Sequence, residues 1–433
     1  MRGLGRLACA AAALAIGISA QVSSAQEAAP RTTVIHADRV VVDAQSPVRG
    51  QSTVIVTDGR IVGIEDGFVD GPVGAEMVHL AGKTLVPGLT DLHTHISGDP
   101  TGEYWRAAID PPEWFTMLAV KNAGKTVRAG FTTIRDLGSR TPQVTQALRR
   151  ATAEGLVVGP RVVTSGQTIA IVGGHGDTSG FRSDVNDLLA SGMACTGPVE
   201  CAEKVRRASK AGADLVKITA TGGVLSQQGR GLEAHFTDAE MQSIVDTAKT
   251  LGLNVAAHAH GARGIEAASR AGVQTIEHGT YLDDGAIAEM KKNGTVLIPT
   301  LMAFQGISQR LGKGVYTPVV ETKVRAVADA AGVFLRKALK AGVKVAFGTD
   351  AGVFEHGLNA REFGLMMAQG MSSRDALAAA TTGAAEVLGL SGEIGRIAPG
   401  YSADIIAVEG DPTQDARVLE KVDWVMARGR VID

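Results

Sequence analysis

Short apolar runs alternate with longer segments of helical spacing through most of this 433-residue chain. Eight runs are rich in Val, Ile, Leu, Thr or Ala and have the length of single strands: 86–95, 132–136, 161–165, 215–220, 254–258, 275–278, 296–300 and 344–350. Intervening segments, such as 239–251 and 324–341, carry helical spacing of Ala, Val and Leu. The alternation predicts repeated βα units, and therefore an α/β fold with a parallel sheet.

Metal-binding side chains stand at or near the ends of five of these strands. His93 and His95 share one face of an extended strand, because residues i and i+2 point the same way. The other strand ends carry Lys217, His258, His278 and Asp350. Taken singly, a buried histidine is more often a satisfied core residue. Since the carboxyl ends of parallel strands meet at one mouth, the whole set instead predicts a metal site.

Further motifs make the combined pattern more specific. They lie at residues 85–91, 221–224, 258–261, 277–281, 395–400 and 403–404. Together with the metal-binding set, these motifs resemble the amidohydrolase superfamily, and within it the secreted prolidase and imidazolonepropionase-like branch. The resemblance implies a (β/α)8 barrel of the TIM type. Members of that branch cleave dipeptides or N-acyl amino acids, and some relatives hydrolyse ochratoxin A.

Both ends of the chain have the pattern of antiparallel strands. Apolar and polar positions alternate in residues 32–85, and Asp58-Gly59 predicts a hairpin turn between two of the runs. The C-terminal runs 403–408 and 422–427 have the same character. We therefore predict a small β-sandwich domain built from residues 26–86 and 391–433, beside a barrel formed by residues 87–390. A split domain of this kind is also what the resemblance implies.

Residues 1–25 have the pattern of a signal peptide. Arg2 and Arg6 precede an apolar stretch at 7–18, and the small residues at 23–25 suit cleavage after Ala25. The apolar stretch is shorter than the ~20 residues of a transmembrane helix, so we expect no stable membrane insertion. The sequence thus predicts a secreted or periplasmic protein, with an uncleaved anchor as the alternative.

The charge balance argues against nucleic acid as a partner. With 43 Lys and Arg against 45 Asp and Glu, the formal net charge is −2, and the basic residues are spread along the chain. A phosphate backbone requires a concentrated basic surface instead. The resemblance implies a small-molecule amide or dipeptide substrate as the partner. The family resemblance also implies a homo-oligomer.

Two cysteines, Cys195 and Cys201, would remain after cleavage of the signal peptide. They lie in or beside a loop-like stretch at 191–198, and such close cysteines can form a local disulfide in an oxidising compartment. The sequence therefore predicts a bond between them, with two free thiols as the alternative. A catalytic role is not indicated, because neither cysteine has the neighbours of a nucleophile.

Lys217 lies between Val216 and Ile218 on a buried strand, where an unpaired ammonium is rarely tolerated. An ammonium group cannot ligate a cation. The resemblance implies that carbon dioxide carboxylates this lysine to N6-carboxylysine, so that the two carbamate oxygens each hold one metal ion. The alternative is a plain lysine that pairs with Asp350 or with a phosphate-like ligand.

The resemblance implies two divalent metal ions as cofactors. Zinc suits these ligands, with manganese or cobalt as alternatives. The implied ligands are His93, His95 and Asp350 for the first ion, His258 and His278 for the second, and the Lys217 carbamate as a bridge. A bridging water, held as hydroxide, would attack the scissile carbonyl. Asp350 would accept its proton and pass it to the leaving nitrogen.

Three residues outside the ligand set are candidates for binding substrate. His175, in a glycine-rich loop after the third strand, could donate a hydrogen bond to the carbonyl oxygen or the oxyanion. Tyr281 and Arg230 could bind a substrate carboxylate. The alternatives are a solvent-exposed loop histidine, a buried structural tyrosine and a solvated surface arginine.

We therefore expect a secreted binuclear metal-dependent amidohydrolase that cleaves C–N amide bonds of dipeptides or N-acyl amino acids. Aromatic amides such as ochratoxin A are further candidate substrates. One alternative is a mononuclear cyclic-amide hydrolase, similar to imidazolonepropionase, or a deaminase, and a single bound ion would favour it. Another alternative is a non-catalytic barrel that serves as a binding or assembly module. Such chains have usually lost metal ligands, whereas every ligand type is present here.

Overall fold

The computed structural model describes residues 31–101, 103–139 and 141–433. The predicted signal peptide lies outside the described residues. Within them the chain is a mixed α/β protein. None of the helices in these ranges combines the length and the apolar character that a membrane crossing requires.

Strands and helices alternate through the middle of the chain. The strands are β1 (Thr32–Val40), β2 (Ser52–Thr57), β3 (Arg60–Asp66), β4 (Glu76–Pro87), β5 (Leu89–Thr94), β6 (Phe131–Asp136), β7 (Arg161–Thr164), β8 (Thr168–Ile171), β9 (Ala194–Cys195), β10 (Val216–Thr219), β11 (Val255–Ala259), β12 (Thr275–His278), β13 (Val296–Ile298), β14 (Ile405–Glu409), β15 (Val422–Ala427) and β16 (Arg430–Ile432). The α-helices are α1 (Pro112–Arg128), α2 (Pro142–Glu154), α3 (Ser183–Leu188), α4 (Pro198–Lys210), α5 (Asp238–Thr250), α6 (Ala262–Ala271), α7 (Asp284–Asn293), α8 (Leu301–Gln309), α9 (Pro318–Ala328), α10 (Val333–Ala341), α11 (Arg361–Ala368), α12 (Ser373–Ala380) and α13 (Thr382–Leu388). Short 3-10 helices cover Tyr104–Ala108 and Ala416–Glu420.

Both chain ends join in one seven-stranded sheet, in the order β16-β15-β14-β4-β1-β2-β3. The C-terminal strand β14 pairs antiparallel with β4, which pairs parallel with β1. The β2–β3 hairpin turns at Asp58 and Gly59, both of positive φ, as predicted from their sequence. The predicted joining of the two ends is therefore present, whereas the division of this sheet into the two layers of a sandwich remains a prediction.

The middle of the chain forms two further sheets, in the orders β5-β6-β7 and β13-β12-β11-β10-β8-β9. Neighbouring strands in both sheets are parallel. Strands β10, β11 and β12 are buried along their whole length, which explains their continuous apolar character. These three strands, which carry the predicted metal-binding residues Lys217, His258 and His278, therefore lie side by side.

The eighth predicted strand, 344–350, makes backbone bridges instead of a regular ladder. Val345 bridges Leu297 of β13, and Ala351, directly after the segment, bridges Thr94 of β5, both in parallel orientation. The positive φ of Asp350 interrupts the extended conformation that a ladder requires. On the other side, Asp214 N–H donates to the Thr164 carbonyl at 2.8 Å, before β10 begins. Backbone contacts thus link the two sheets on both sides.

The helices begin and end at residues suited to those positions. A capping box precedes α5, in which Thr237 and Glu240 each accept from the other's backbone N–H. The predicted helical segment 324–341 is divided into α9 and α10. Gly332 there has a φ of 81°, a left-handed conformation that a right-handed helix cannot include.

Cys195 in β9 and Cys201 in α4 form a disulfide in this structure, the pair expected from the sequence. Both cysteines are buried in the largest apolar core. The bond ties the short edge strand β9 to the helix that follows it.

Candidate metal centre

The end of β5 brings His93 and His95 against Asp350. His93 Nε2 lies 3.4 Å, and His95 Nε2 lies 3.3 Å, from Asp350 Oδ1. Within the described part of the chain, this buried carboxylate oxygen has no hydrogen-bond partner. A buried polar atom of this kind is rare and calls for a ligand. A cation held by these three groups would satisfy it.

Two residues of the site have a backbone conformation that is uncommon outside glycine. The φ of His278 is 75° and that of Asp350 is 63°. Side chains with a Cβ rarely adopt positive φ, and such conformations cluster at functional sites because the surrounding structure must hold them. The strained backbone therefore supports a functional role for His278 and Asp350.

Lys217 reaches the same centre from β10. It is 3% exposed, and its Nζ lies 3.5 Å from His93 Nε2. Burial lowers the pKa of Lys217 to about 8. Burial therefore favours the neutral amine of Lys217 more than it would be favoured in a surface lysine.

A second group of imidazoles lies beside the first. One ring nitrogen from each of His258, His260 and His278 falls within 4.8 Å of the others. His278 also belongs to a group with His93 and Asp350, so the two groups are continuous. His260 was not among the predicted ligands. The sequence did indicate that His260 shares a face with His258, because it follows His258 by two positions, as His95 follows His93.

Hydrogen bonds to backbone carbonyls fix the orientation of two imidazoles. His95 Nδ1 donates to the Gly138 carbonyl at 2.9 Å, and His258 Nε2 donates to the Gly222 carbonyl at 3.2 Å. In the neutral form of each ring, these bonds leave His95 Nε2 and His258 Nδ1 as the unprotonated nitrogens. An unprotonated ring nitrogen is what a metal ion requires, and outer hydrogen bonds of this kind are typical of metal-binding histidines.

A buried ion pair supports His93 from behind. His93 Nδ1 lies 2.8 Å from Glu277 Oε2, and Arg135 Nη2 donates to Glu277 Oε1 at 2.9 Å. Burial raises the pKa of Glu277, but Arg135 and His93 outweigh it and lower the pKa to about 2. The carboxylate therefore stays ionised and holds the His93 ring. The sequence suggested Glu277 only as part of the motif at 277–281, and it did not suggest Arg135.

Replacing Glu277 with glutamine should weaken metal binding by about 10- to 100-fold, because His93 loses its charged partner. The fold should lose roughly 3–5 kcal/mol of unfolding free energy, since Arg135 keeps a buried, unpaired charge. Competition with a chelator and denaturant unfolding measure the two effects. Glu154→Gln, which removes an exposed partner of Arg150, is the matched control. Wild-type metal affinity in the Glu277 variant would contradict the assigned role.

A second buried carboxylate holds β5 against the loop that carries Asp350. Asp91 Oδ1 accepts from His93 N–H at 3.0 Å. Its Oδ2 accepts from Thr349 Oγ1 at 2.6 Å and from Asn359 Nδ2 at 2.7 Å. Asp91 thus fixes the backbone beside a predicted ligand on each of two distant segments. The sequence suggested Asp91 only as part of a motif.

The three predicted substrate residues have different positions in the structure. His175 is half-buried, lines the cavity over the centre and has its ring 4.4 Å from that of His258. Burial, with a smaller contribution from His260, lowers the pKa of His175 to about 3, so the ring is neutral. Tyr281 and Arg230 do not line this cavity. The Tyr281 hydroxyl donates to the Ala326 carbonyl at 3.0 Å, and Arg230 is exposed at the end of its loop.

The cavity over the centre has a volume of about 220 Å³ and two kinds of wall. One wall consists of the histidines, Lys217 and Asp350. The other is mainly apolar and contains Leu137, Val224, Leu225, Ala303, Phe304, Ile307 and Val353. A small molecule bound there would present its reacting atoms to the polar wall and an apolar group to the opposite wall.

Comparison with known protein families shows to which family this chain belongs. The profile of the amidohydrolase family matches residues 84–432. The chain belongs to the amidohydrolase family. This amidohydrolase is 30% identical to an ochratoxinase of Aspergillus niger over 425 residues, which cover 92% of this chain and 85% of the relative.

Solved structures of similar proteins agree with this assignment. A Xaa-Pro dipeptidase with bound methionine in the active site is 36% identical, with a TM-score of 0.86, over 92% of this amidohydrolase and 99% of that chain. A prolidase complexed with N-methylphosphonate-L-proline is 30% identical, with a TM-score of 0.84, over 93% and 99% of the two chains. The predicted resemblance to the prolidase-like branch is confirmed, and the protein is a hydrolase acting on carbon–nitrogen bonds.

Amidohydrolases are generally metal-dependent, and the residues of this amidohydrolase fit a metal site. Within the described residues the buried Asp350 Oδ1 accepts no hydrogen bond, and because two imidazole nitrogens face it, a cation held there would satisfy it. The histidine and aspartate donors are the types that divalent transition metals prefer.

Proposed function

We propose that this amidohydrolase is a binuclear metal-dependent enzyme that hydrolyses the amide bond of dipeptides or N-acyl amino acids. The observation that carries the proposal is Asp350 Oδ1, which accepts no hydrogen bond from the described residues and lies beside two imidazole nitrogens. The neighbouring imidazoles of His258 and His278 extend the donor set beyond the needs of one ion. Zinc is the proposed metal.

The proposed ligands are the ones expected from the sequence. They are His93, His95 and Asp350 for one ion, His258 and His278 for the other, and carboxylated Lys217 between them. Burial favours this modification, because it leaves part of Lys217 as the neutral amine that can add to the carbon of carbon dioxide. Loss of the amine proton then yields an anionic carbamate, which suits a site between two cations.

The chain's own residues supply the proton transfers. When bound, the ions would act as Lewis acids toward the attacking water and the scissile carbonyl. Burial raises the pKa of Asp350, but His93 and His95 outweigh it and hold the pKa below its ordinary value. The ionised carboxylate accepts the water proton and delivers it to the leaving nitrogen as the C–N bond breaks. Neutral His175 donates its N–H to the developing oxyanion.

Two comparisons support an amide substrate with an amino acid on one side. Ochratoxinase and a Xaa-Pro dipeptidase are among the similar proteins. The apolar wall around Phe304 and Leu225 suits an apolar side chain or acyl group. Aromatic N-acyl amino acids, including ochratoxin A, therefore belong in the test panel beside dipeptides.

The proposal extends to the architecture and the location of the enzyme. We propose that residues 87–390 close into a (β/α)8 barrel beside the domain of residues 26–86 and 391–433. The backbone links on both sides of the parallel sheets support closure. Cleavage of a signal peptide after Ala25 would deliver the enzyme to the periplasm or the medium.

The test combines metal analysis with a substrate panel. The purified mature protein is expected to contain close to two zinc ions per chain and to hydrolyse members of a dipeptide and N-acyl amino acid panel. Chelation should abolish hydrolysis, and added zinc should restore it. One ion per chain without amide hydrolysis would favour the cyclic-amide hydrolase or deaminase class. A protein that binds no metal would refute the proposal.

A further inference from the structure

Lys323 of α9 is buried against backbone carbonyl groups. It is 7% exposed, and no carboxylate of the described residues forms a salt bridge with it. Its Nζ instead donates to the carbonyl oxygens of Gly223 at 2.8 Å, Ser226 at 2.6 Å and Gln228 at 3.1 Å. A buried ammonium is costly unless such hydrogen bonds satisfy it. Three bonds to carbonyls within six residues of chain indicate a dedicated contact.

The segment that Lys323 holds, residues 222–228, is termed the pocket segment here. Val224 and Leu225 belong to the apolar wall of the cavity. The Gly222 carbonyl accepts from His258 Nε2 at 3.2 Å. Gly223 lies directly against the His175 ring, because a Cβ built at this position would clash with the ring atoms. A shift of the pocket segment would therefore move both the wall and the imidazoles that face substrate.

Further hydrogen bonds also hold the pocket segment in place. Thr317, the residue before α9, donates from Oγ1 to Gln227 Oε1 at 2.8 Å. Gln228 Nε2 donates to the carbonyl of Gly174, the neighbour of His175, at 3.1 Å. The pocket segment thus lies between α9 on one side and the His175 loop on the other. Lys323 makes most of the contacts on the α9 side.

We infer that Lys323 is a positioning residue that fixes the pocket segment against α9 and thereby holds His175 in place for the hydrolysis proposed above. An ammonium group gives charge-assisted bonds to three carbonyls from a single point, which a neutral side chain cannot do. Because these carbonyls already occupy its protons, Lys323 binds the protein's own backbone and not a substrate carboxylate. The effect of Lys323 on catalysis rests on the proposed function. Its effect on the position of the pocket segment does not.

The test uses Lys323→Met, which keeps the length of the side chain and removes its donors. We expect kcat for the best amide of the panel to fall by about 10- to 100-fold, because misplaced catalytic groups lose rate at this scale. Metal content should stay at the wild-type level. Amide hydrogen exchange should become faster in residues 222–228 and remain unchanged in β10 and β11. Lys340→Met, on an exposed position of α10, is the matched control.

A double-mutant cycle separates positioning from general destabilisation. In a His175→Asn background, Lys323→Met should lower kcat by less than about 3-fold, because the residue that it positions is already absent. The same penalty in both backgrounds would overturn the inference. Exchange that becomes faster throughout the chain, or stays at the wild-type rate in the pocket segment, would overturn it as well.

A second variant, Lys323→Gln, covers the case in which the methionine variant does not fold. Glutamine can donate two bonds, so we expect a smaller increase in exchange at the same residues. If neither variant folds, Lys323 is a folding residue and the inference is rejected. A wild-type enzyme that hydrolyses no amide would reject the proposed function alone, because hydrogen exchange still reports on the pocket segment.

Discussion

Replacing Asp350 with asparagine is expected to lower kcat/KM for amide hydrolysis by about 10³- to 10⁴-fold. Asparagine has nearly the same shape, but its amide cannot accept the proton of the attacking water and deliver it to the leaving nitrogen. The substitution also removes the negative charge beside His93 and His95. Steady-state kinetics measure the loss, with metal content and thermal unfolding determined on the same preparation.

The metal titration distinguishes the two roles of Asp350. If the aspartate were only a ligand, excess zinc would restore most of the activity of the variant. If it also transfers the proton, the defect should persist at full metal occupancy. Glu355→Gln is the matched control, because Glu355 is exposed and pairs with Arg310 near the same loop. A loss below about 10-fold at full occupancy would refute the proton-transfer role.

The sequence could indicate that the predicted ligand residues meet at one place, because each stands at or near the end of a predicted strand. His93 and His95 match the period of a strand, and strand ends in parallel sheets share one mouth. His260 follows His258 by two positions, just as His95 follows His93. It therefore shows the limit of reasoning from spacing alone. In the structure its Nδ1 pairs with Thr280 Oγ1 at 2.6 Å, while its ring stacks on His278. The spacing identifies a face of the strand but not the role of each group on it.

The residues behind the predicted ligands could not be found in the same way. Glu277 supports His93 from 184 positions away, and Arg135 reaches Glu277 across 142 positions. These partnerships depend on which strands become neighbours and on which side chains fill the interior between them. An alternating sequence pattern assigns residues to the two faces of a strand. It does not show which side chains of different strands meet in the interior.

The positions of the predicted substrate-binding residues in loops could not be derived from the sequence either. Tyr281 and Arg230 were suitable by chemistry, but loop conformation decides where such side chains point. The structure directs the Tyr281 hydroxyl to Ala326 and leaves Arg230 at the surface. His175 reached the cavity because Gly223 leaves space for its ring. A glycine permits this close approach, and the need for it becomes visible only when the two loops are together.

Lys217→Ala is expected to lower kcat/KM by at least about 10³-fold, because loss of a bridging anion removes several kcal/mol of electrostatic stabilisation. The alanine leaves space where the carbamate is proposed to lie. A short carboxylate such as acetate or propionate could enter this space and supply two oxygens to the ions. We therefore expect added carboxylate, together with zinc, to restore part of the activity in a concentration-dependent manner.

Controls for the Lys217 variant separate a carbamate from a plain lysine. The same carboxylates should neither activate the wild-type enzyme nor rescue Asp350→Asn, because neither protein lacks the bridging anion. Wild-type protein stripped of metal should regain activity with zinc only when bicarbonate is supplied, since carbon dioxide must add to the amine again. If Lys217 were an ammonium group paired with Asp350, reactivation would be independent of bicarbonate and carboxylates would not rescue the alanine variant. That result would remove the bridge from the proposed centre and leave His93, His95 and Asp350 to hold a single ion.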